Sequence, residues 1–384
     1  MYKILMAGYH HWGDSLKVGS LCYAEEFAQR GHKVFYLSDW ISPFHFLTKR
    51  NHGSKVERLK LWLYGGKEVS EKLFTYNPLT LLYPKNTYLL RSNFVLSHLV
   101  NFSFPNVLVK LCEMKFDSVD ILWLDNILYS QLLQKVDHSV SILRISDNLN
   151  GFRGGLSNVI ALRKKIINEV DVVITPSHAI LEEIRKHRSS NVFLVPNGVD
   201  PKAFREDHPE PTEYSTIPCP RVVYVGALHY WFDKDILTYC ARNLPRWSFV
   251  LIGKSWVDLK GLSEFSNIHF LGSRPHELIA PYMKHSDIGI IPFKADDPVT
   301  ICTNPIKLYE YMASGLPVVA TKWPELVKMN SPALLARNRA EFLTLLNEAL
   351  ESKKRPDRYL RFAQENTWTK RTEEVERILS TSIG

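Results

Sequence analysis

Cysteine is scarce in this 384-residue chain, and its five residues are scattered: Cys22, Cys112, Cys219, Cys240 and Cys302. Their number is odd and no two form a CxxC, so no disulfide framework is read here. Reduced, packing thiols of a cytosolic protein are expected. Long apolar runs are missing as well. No segment approaches the roughly 20 apolar residues of a membrane span, and the opening MYKILMAGYHH reads as a short strand, not a signal peptide. The nearest to a membrane-facing stretch is Tyr88–Cys112, which Arg91, Ser92, Asn93, His98 and Lys110 interrupt. Core helices are the expectation there, with a surface resting on a bilayer as the alternative. No Lys/Arg block, zinc-finger spacing or aromatic RNP-type signature occurs, so nucleic acid is not an expected partner. Three glycine motifs are absent too. GYHHWG has Gly8 and Gly13 but no middle glycine, which argues against a dinucleotide-dependent oxidoreductase. The lack of GxxxxGK[ST] argues against a P-loop NTPase, and that of Gly-x-Ser-x-Gly against a nucleophile elbow.

What is present suits a two-domain globular enzyme. The length exceeds one ordinary core, and 45% apolar with 23% charged residues is the composition of a folded protein. A formal charge of +8 and a pI near 9.0 point to an anionic partner, a phosphorylated substrate or an anionic membrane surface among them. Strands are expected at Tyr2–Ala7, Lys33–Leu37, Val119–Leu124, Val140–Ile145, Val170–Thr175 and Asn191–Val195, with helices at Ser20–Arg30, Val159–Glu169 and on to His187. Residues 40–115 fit this alternation poorly and are expected to hold inserted helices and loops. The second series has strands at Arg221–Val225, Trp247–Ile252, Ile268–Leu271, Ile288–Pro292 and Pro317–Ala320, with helices at Asp235–Asn243, Pro275–Lys284 and Asn304–Ser314. This alternation predicts an α/β fold of two Rossmann-like, doubly wound domains. The expected boundaries are 1–200, a Pro- and Asp/Glu-rich linker at 201–220, 221–365, and a C-terminal helix at 366–384 that returns to brace the first domain.

The segment Asp287–Ala320 carries the most chemistry. An apolar strand leads through a polar loop to a helix expected to open with Asn304 as N-cap and Pro305 at its first position, ending at Gly315. Lys307 falls in the first turn, where the helix dipole disfavours a cation by about 0.3–1 kcal/mol. A bound anion reverses that penalty. Glu310 shares the face at i+3 and can accept hydrogen bonds from hydroxyls. A cation, free amides and a carboxylate on one face suit a diphosphate joined to a ribose, and a solvated Lys–Glu pair is the bland alternative. Ile306 and Tyr309 complete the candidate contact set on this helix. Other candidates are Gly226, which allows close ligand approach at a strand end, Arg274 before a helix, and Gly19 with Ser20 at an open helix start. His10, His11 and Trp12 follow the first strand and are candidates for an acceptor-side lining. Asp233-Lys234-Asp235 reads Asp-x-Asp but begins a helix, so no metal is assigned.

Taken in order, these pieces resemble GT-B glycosyltransferases over most of the chain. Gly19-Ser20 before Arg30-Gly31-His32-Lys33-Val34, Asp171–Ser177 followed by Val195–Asp200, and Lys307–Glu310 with Ala313–Val319 carry the likeness. Retaining members of the family-4 type have a Glu eight residues before the equivalent of Glu310, and here that residue is Cys302. DPVTICTNPIKLYEYMASG is closer to bacterial exopolysaccharide enzymes such as xanthan-type glucuronosyltransferases and teichuronic-acid glycosyltransferases. The resemblance implies two domains facing across a cleft, with Lys307 on the donor diphosphate and a catalytic Asp after a strand of the first domain. ILRISDNLNGFRG places Asp147 there. By itself Asp147 reads equally as an Asx-turn residue. The resemblance favours a base for an inverting transfer. It further implies a nucleotide-sugar donor, UDP-linked by preference, and a saccharide or lipid-diphosphate-linked acceptor. No metal or other cofactor is expected, and the cytoplasm or the inner membrane face is the expected location. A nucleotide-sugar 2-epimerase of the same fold and a non-catalytic nucleotide- or carbohydrate-binding scaffold remain open as alternatives.

Overall fold

A computed structural model describes residues 1–13, 17–47, 52–84, 92–147 and 157–383. The chain forms two compact units: Met1–Val195 joined by the chain from Thr372 on, and Pro196–Arg371.

The first unit is built on strands β1 (Lys3–Ala7), β2 (Lys33–Leu37), β3 (Lys67–Ser70) and β4 (Leu73–Tyr76), and a separate two-strand pair, β5 (Leu79–Thr80) and β6 (Ser103–Phe104). It continues with β7 (Ser118–Leu124), β8 (Asp137–Arg144), β9 (Val172–Thr175) and β10 (Val192–Leu194). The sheet order is β10-β9-β8-β7-β1-β2-β4-β3, parallel except for β3. Ile4, Leu5, Met6 and Ala7 are all fully buried, as a central strand covered on both faces requires. The chain winds outward from β1 in both directions, so the connections leaving the carboxyl ends of β1 and β7 part there, the position where open α/β sheets bind ligands. Four strands, β3 to β6, lie in the region expected to hold inserted helices and loops. The exposed, polar KEVS of β3 is an edge strand too short to show a period in the sequence. The final helix, Trp368–Ile383, reaches this unit through Glu376, which accepts from Arg30 Nη2 at 2.7 Å and pairs with His32 Nε2 at 2.8 Å.

The second unit is a parallel sheet of β11 (Arg221–Val225), β12 (Ser248–Ile252), β13 (Ile268–Gly272), β14 (Ile288–Ile291), β15 (Val318–Thr321) and β16 (Leu334–Ala336), in the order β13-β12-β11-β14-β15-β16. Its diverging pair is β11 and β14. Residues 201–220 are not a free linker. Phe204, Tyr214 and Ile217 are buried in this unit's core, and Arg221 reaches back to Glu210 and the carbonyls of Tyr214 and Ile217. The apolar residues among the acidic and proline residues outweigh the linker-like composition. The boundary falls before Pro196 because Val199 bonds to the Asn366 carbonyl and accepts from the Trp368 amide, 3.1 Å each. Asp233 caps the helix Lys234–Asn243 by accepting from the amides of Asp235 and Ile236.

Candidate functional site

The helix Ile306–Ala313 is buried almost all round: Leu308, Tyr309, Tyr311, Met312 and Ala313 face the core. Tyr311 lies against Gly289 of β14, where a Cβ would come within 2.6 Å of its ring, and its hydroxyl accepts from the Val225 amide at the end of β11. That contact ties the helix to the carboxyl end of β11. Pro305, not Asn304, occupies the N-cap, and no side chain caps the helix. Asn304 is engaged elsewhere: its Oδ1 accepts from the Asn197 amide and the Tyr309 hydroxyl, and its carbonyl accepts from Asn197 Nδ2. These bonds make Asn304 a buried pin, and the Tyr309 side chain, stacked on Phe362, belongs to the same internal packing.

Lys307 is half-buried, with its ammonium 5.0 Å from the Tyr224 ring and 4.7 Å from that of Phe293. It makes no hydrogen bond or ion pair among the described residues. Desolvation lowers its pKa to about 8, against the opposing pull of Glu310; the ring faces favour the cation. Gly226, with φ +143°, gives it room: a Cβ there would stand 2.7 Å from Lys307 Nζ. Gly253, at φ +152°, is needed beside it because a Cβ would collide with the Gly226 carbonyl at 1.9 Å. The amides of Ile306 and Lys307 lie ahead of the first intrahelical acceptor and point out of the helix end. One turn along, buried Glu310 accepts through Oε1 from His276 Nε2 at 2.7 Å.

In the first unit, a small hollow, partly open to solvent, is lined by Tyr9, Asp125, Arg144, Asp147 and Arg163 among others. It sits at the β1/β7 divergence, where the amides of Asp125 and Asn126 both bond to the Ala7 carbonyl. Asp125 is buried and pairs with Arg144 at 3.0 Å while accepting from Trp123 Nε1. Burial pushes its carboxyl up, against the pull of Arg144. Asp147 is exposed at the rim and accepts from Ser146 Oγ at 3.1 Å; residues 148–156, which an Asx-turn would involve, lie outside the described residues.

The remaining candidates have other partners. Ser20 is buried and accepts from the Tyr36 hydroxyl, with buried Gly19 preceding it and Val18 as N-cap. Arg274 bonds Glu213 at 2.9 Å and Tyr282 at 3.4 Å, outside the group formed by Lys307, Gly226, Glu310 and His276. His11 is buried near Glu57, and Trp12 packs edge-on to Tyr36.

Residues 219–352 match the sequence profile of the family described as Glycosyl transferases group 1. The second unit carries a glycosyltransferase group 1 domain. Two curated relatives agree with it. A protein named as a teichuronic acid biosynthesis glycosyltransferase, TuaH of Bacillus subtilis, is 28% identical over 196 residues, 49% of each chain. The UDP-glucuronate:glycolipid 2-beta-glucuronosyltransferase of Xanthomonas campestris pv. campestris is 27% identical over 156 residues, 40% of this chain and 36% of that one. This chain thus spans about half or less of their lengths. Among solved structures, Anabaena HepE in complex with UDP has a TM-score of 0.67 at 14% identity, covering 99% of this chain and 100% of its own. A trehalose-6-phosphate protein from E. coli bound with UDP-2-fluoro glucose gives 0.66 at 13% identity, with 98% of each covered. At such identities the likeness establishes the fold, which is GT-B.

Within the glycosyltransferase domain, His276 and Gly253 escaped the sequence reading. His276 lies 34 residues from Glu310 with no local pattern to join them. Gly253 ends β12 as Gly226 ends β11, so its place at a strand end was a readable signal. Asp125 and Arg144 of the first unit were missed because both sit in apolar strand contexts that read as core.

Proposed function

We propose that this protein is a glycosyltransferase that moves a sugar from a UDP-sugar to a saccharide or lipid-linked saccharide acceptor in bacterial surface polysaccharide synthesis. The observation that carries this reading is the seat of Lys307. A half-buried ammonium at the diverging strand ends, with ring faces beside it and two free helix amides alongside, has the charge and donors for a diphosphate. Glu310 is one turn away, where a ribose diol would follow. The donors named in the UDP complexes of similar fold and in the glucuronosyltransferase relative favour uridine. The glycolipid in that relative's name favours a lipid-linked acceptor.

Transfer with inversion needs a base for the acceptor hydroxyl, and Asp147, at the rim of a hollow beyond a strand's carboxyl end, is the proposed one. Cys302 in place of a carboxylate favours inversion over retention. Lys307 and the amides of Ile306 and Lys307 would stabilise the departing diphosphate without requiring a metal. The test is isothermal calorimetry with UDP on the wild type and Lys307→Met. Binding by the wild type, lost by at least about tenfold in the variant with the fold intact by circular dichroism, supports the donor site. Equal binding by both proteins refutes it. Release of free UDP from a UDP-sugar without acceptor would instead favour the epimerase reading.

A further inference from the structure

His276 has no place in the function so far, yet it touches the residue assigned to the ribose. It follows β13, opening a 3-10 turn after Pro275, and its Nε2 lies 2.7 Å from Glu310 Oε1. The side chains are 21% and 11% exposed, so this hydrogen bond is largely withdrawn from water. A carboxylate can only accept, so the imidazole nitrogen is the donor. The ring also meets Phe204 in a T-shaped contact, centroids 6.1 Å apart, which restrains its plane. With Oε1 held by His276, Glu310 cannot rotate freely about its terminal bond, and Oε2 keeps its lone pairs for another donor. A diol bonds well to a carboxylate only when that carboxylate is already aimed.

We propose that His276 is a positioning residue that orients Glu310 for the 2′- and 3′-hydroxyls of the donor ribose, so that the site's preference for ribo- over deoxyribonucleotides depends on it. The inference rests on the donor reading above and adds a residue and a selectivity to it. A merely structural histidine would weaken all nucleotides alike when replaced. A positioning histidine acts on the hydroxyl-dependent part alone.

The experiment compares UDP with 2′-deoxy-UDP by calorimetry on the wild type, His276→Phe, His276→Gln and Glu310→Ala. Phe keeps a ring against Phe204 and removes the donor; Gln keeps a donor. The wild type is expected to favour UDP by about tenfold or more, the scale of a hydrogen bond to a charged group. The preference should fall to within about threefold in His276→Phe and Glu310→Ala and recover in His276→Gln. A preference that survives in His276→Phe overturns the role of His276 alone. Equal affinities in the wild type overturn the ribose contact and this inference with it. Failure of the wild type to bind either nucleotide overturns the donor reading beneath both.

Discussion

Lys307 faces opposed demands. Withdrawing an ammonium from water disfavours its charged form, and that form is the one a diphosphate needs. The sign of the pH dependence follows. In the free protein the lysine is charged below about pH 8 and loses its proton above it, whereas the diphosphate gains its last charge at about pH 6–7 and loses none above it. UDP affinity is therefore expected to hold up to about pH 8 and then fall, by at most about tenfold per pH unit. Calorimetry in buffers of different ionisation enthalpy should report proton uptake on binding near that pH; affinity flat from pH 7 to 10 would contradict it. The unfolded chain holds this proton up to the ordinary value of 10.5, so the free protein should gain stability from this group as pH rises from 8 to 10.5. At the same scale, Asp147→Asn is expected to bind UDP as the wild type does and to lose transfer by about 10²–10⁴. A single-turnover assay that finds an unchanged rate would remove Asp147 from the chemistry.

At the scale of elements, the helix bearing Lys307 was readable because its apolar period and terminal Gly315 are local. Its start was misread because Asn304 makes its bonds to Asn197, a partner 107 residues away; a capping residue and a tertiary pin look the same in a sequence. The parallel strands were legible for the reason that makes them parallel, continuous burial on both faces, while β3 and β4 were too short and, in β3, too polar to declare themselves. The closing helix was expected from its charged amphipathic run, but not its anchor. Burial tends to raise the Glu376 carboxyl, and the hydrogen bonds from Arg30 and His32 outweigh that and hold it below the usual carboxylate range. Its stabilisation is thus fully present above the unfolded value near 4.5 and fades as pH falls through the folded one. Glu376→Ala is expected to cost about 1–2 kcal/mol at pH 7, since it removes the acceptor of His32 Nε2 and of Arg30 Nε and Nη2, leaving Arg30 only its longer bond to Glu373. Chemical denaturation at pH 7 and at a series of pH values below 4.5 checks this, and the difference between the two proteins should shrink as pH falls through that range.

For the whole molecule, the excess of +8 charges goes with a concentration of exposed apolar side chains in one stretch of the first unit. Leu63, Tyr64, Leu81, Phe94, Phe104 and Val109 are each more than half exposed. The Trp62 indole donates to the Phe104 carbonyl, and β5 pairs with β6, which ties several of them together. No helix among the described residues is long and apolar enough to cross a membrane. The exposed apolar side chains and the positive charge support the proposal of peripheral contact with an anionic bilayer. Sedimentation with vesicles containing anionic lipid is expected to carry the protein down at low salt and release it at about 0.5 M, where the Debye length shrinks to a few ångströms. Equal sedimentation with neutral vesicles, or none with either, would count against it.

The first unit is discontinuous in sequence, and this orders its birth on the ribosome. Arg30 and His32 emerge early, but their partner Glu376 is made only after the entire second unit has been translated. At about 5–20 residues per second, the opening half of the chain waits on the order of 10–35 s for the helix that completes it.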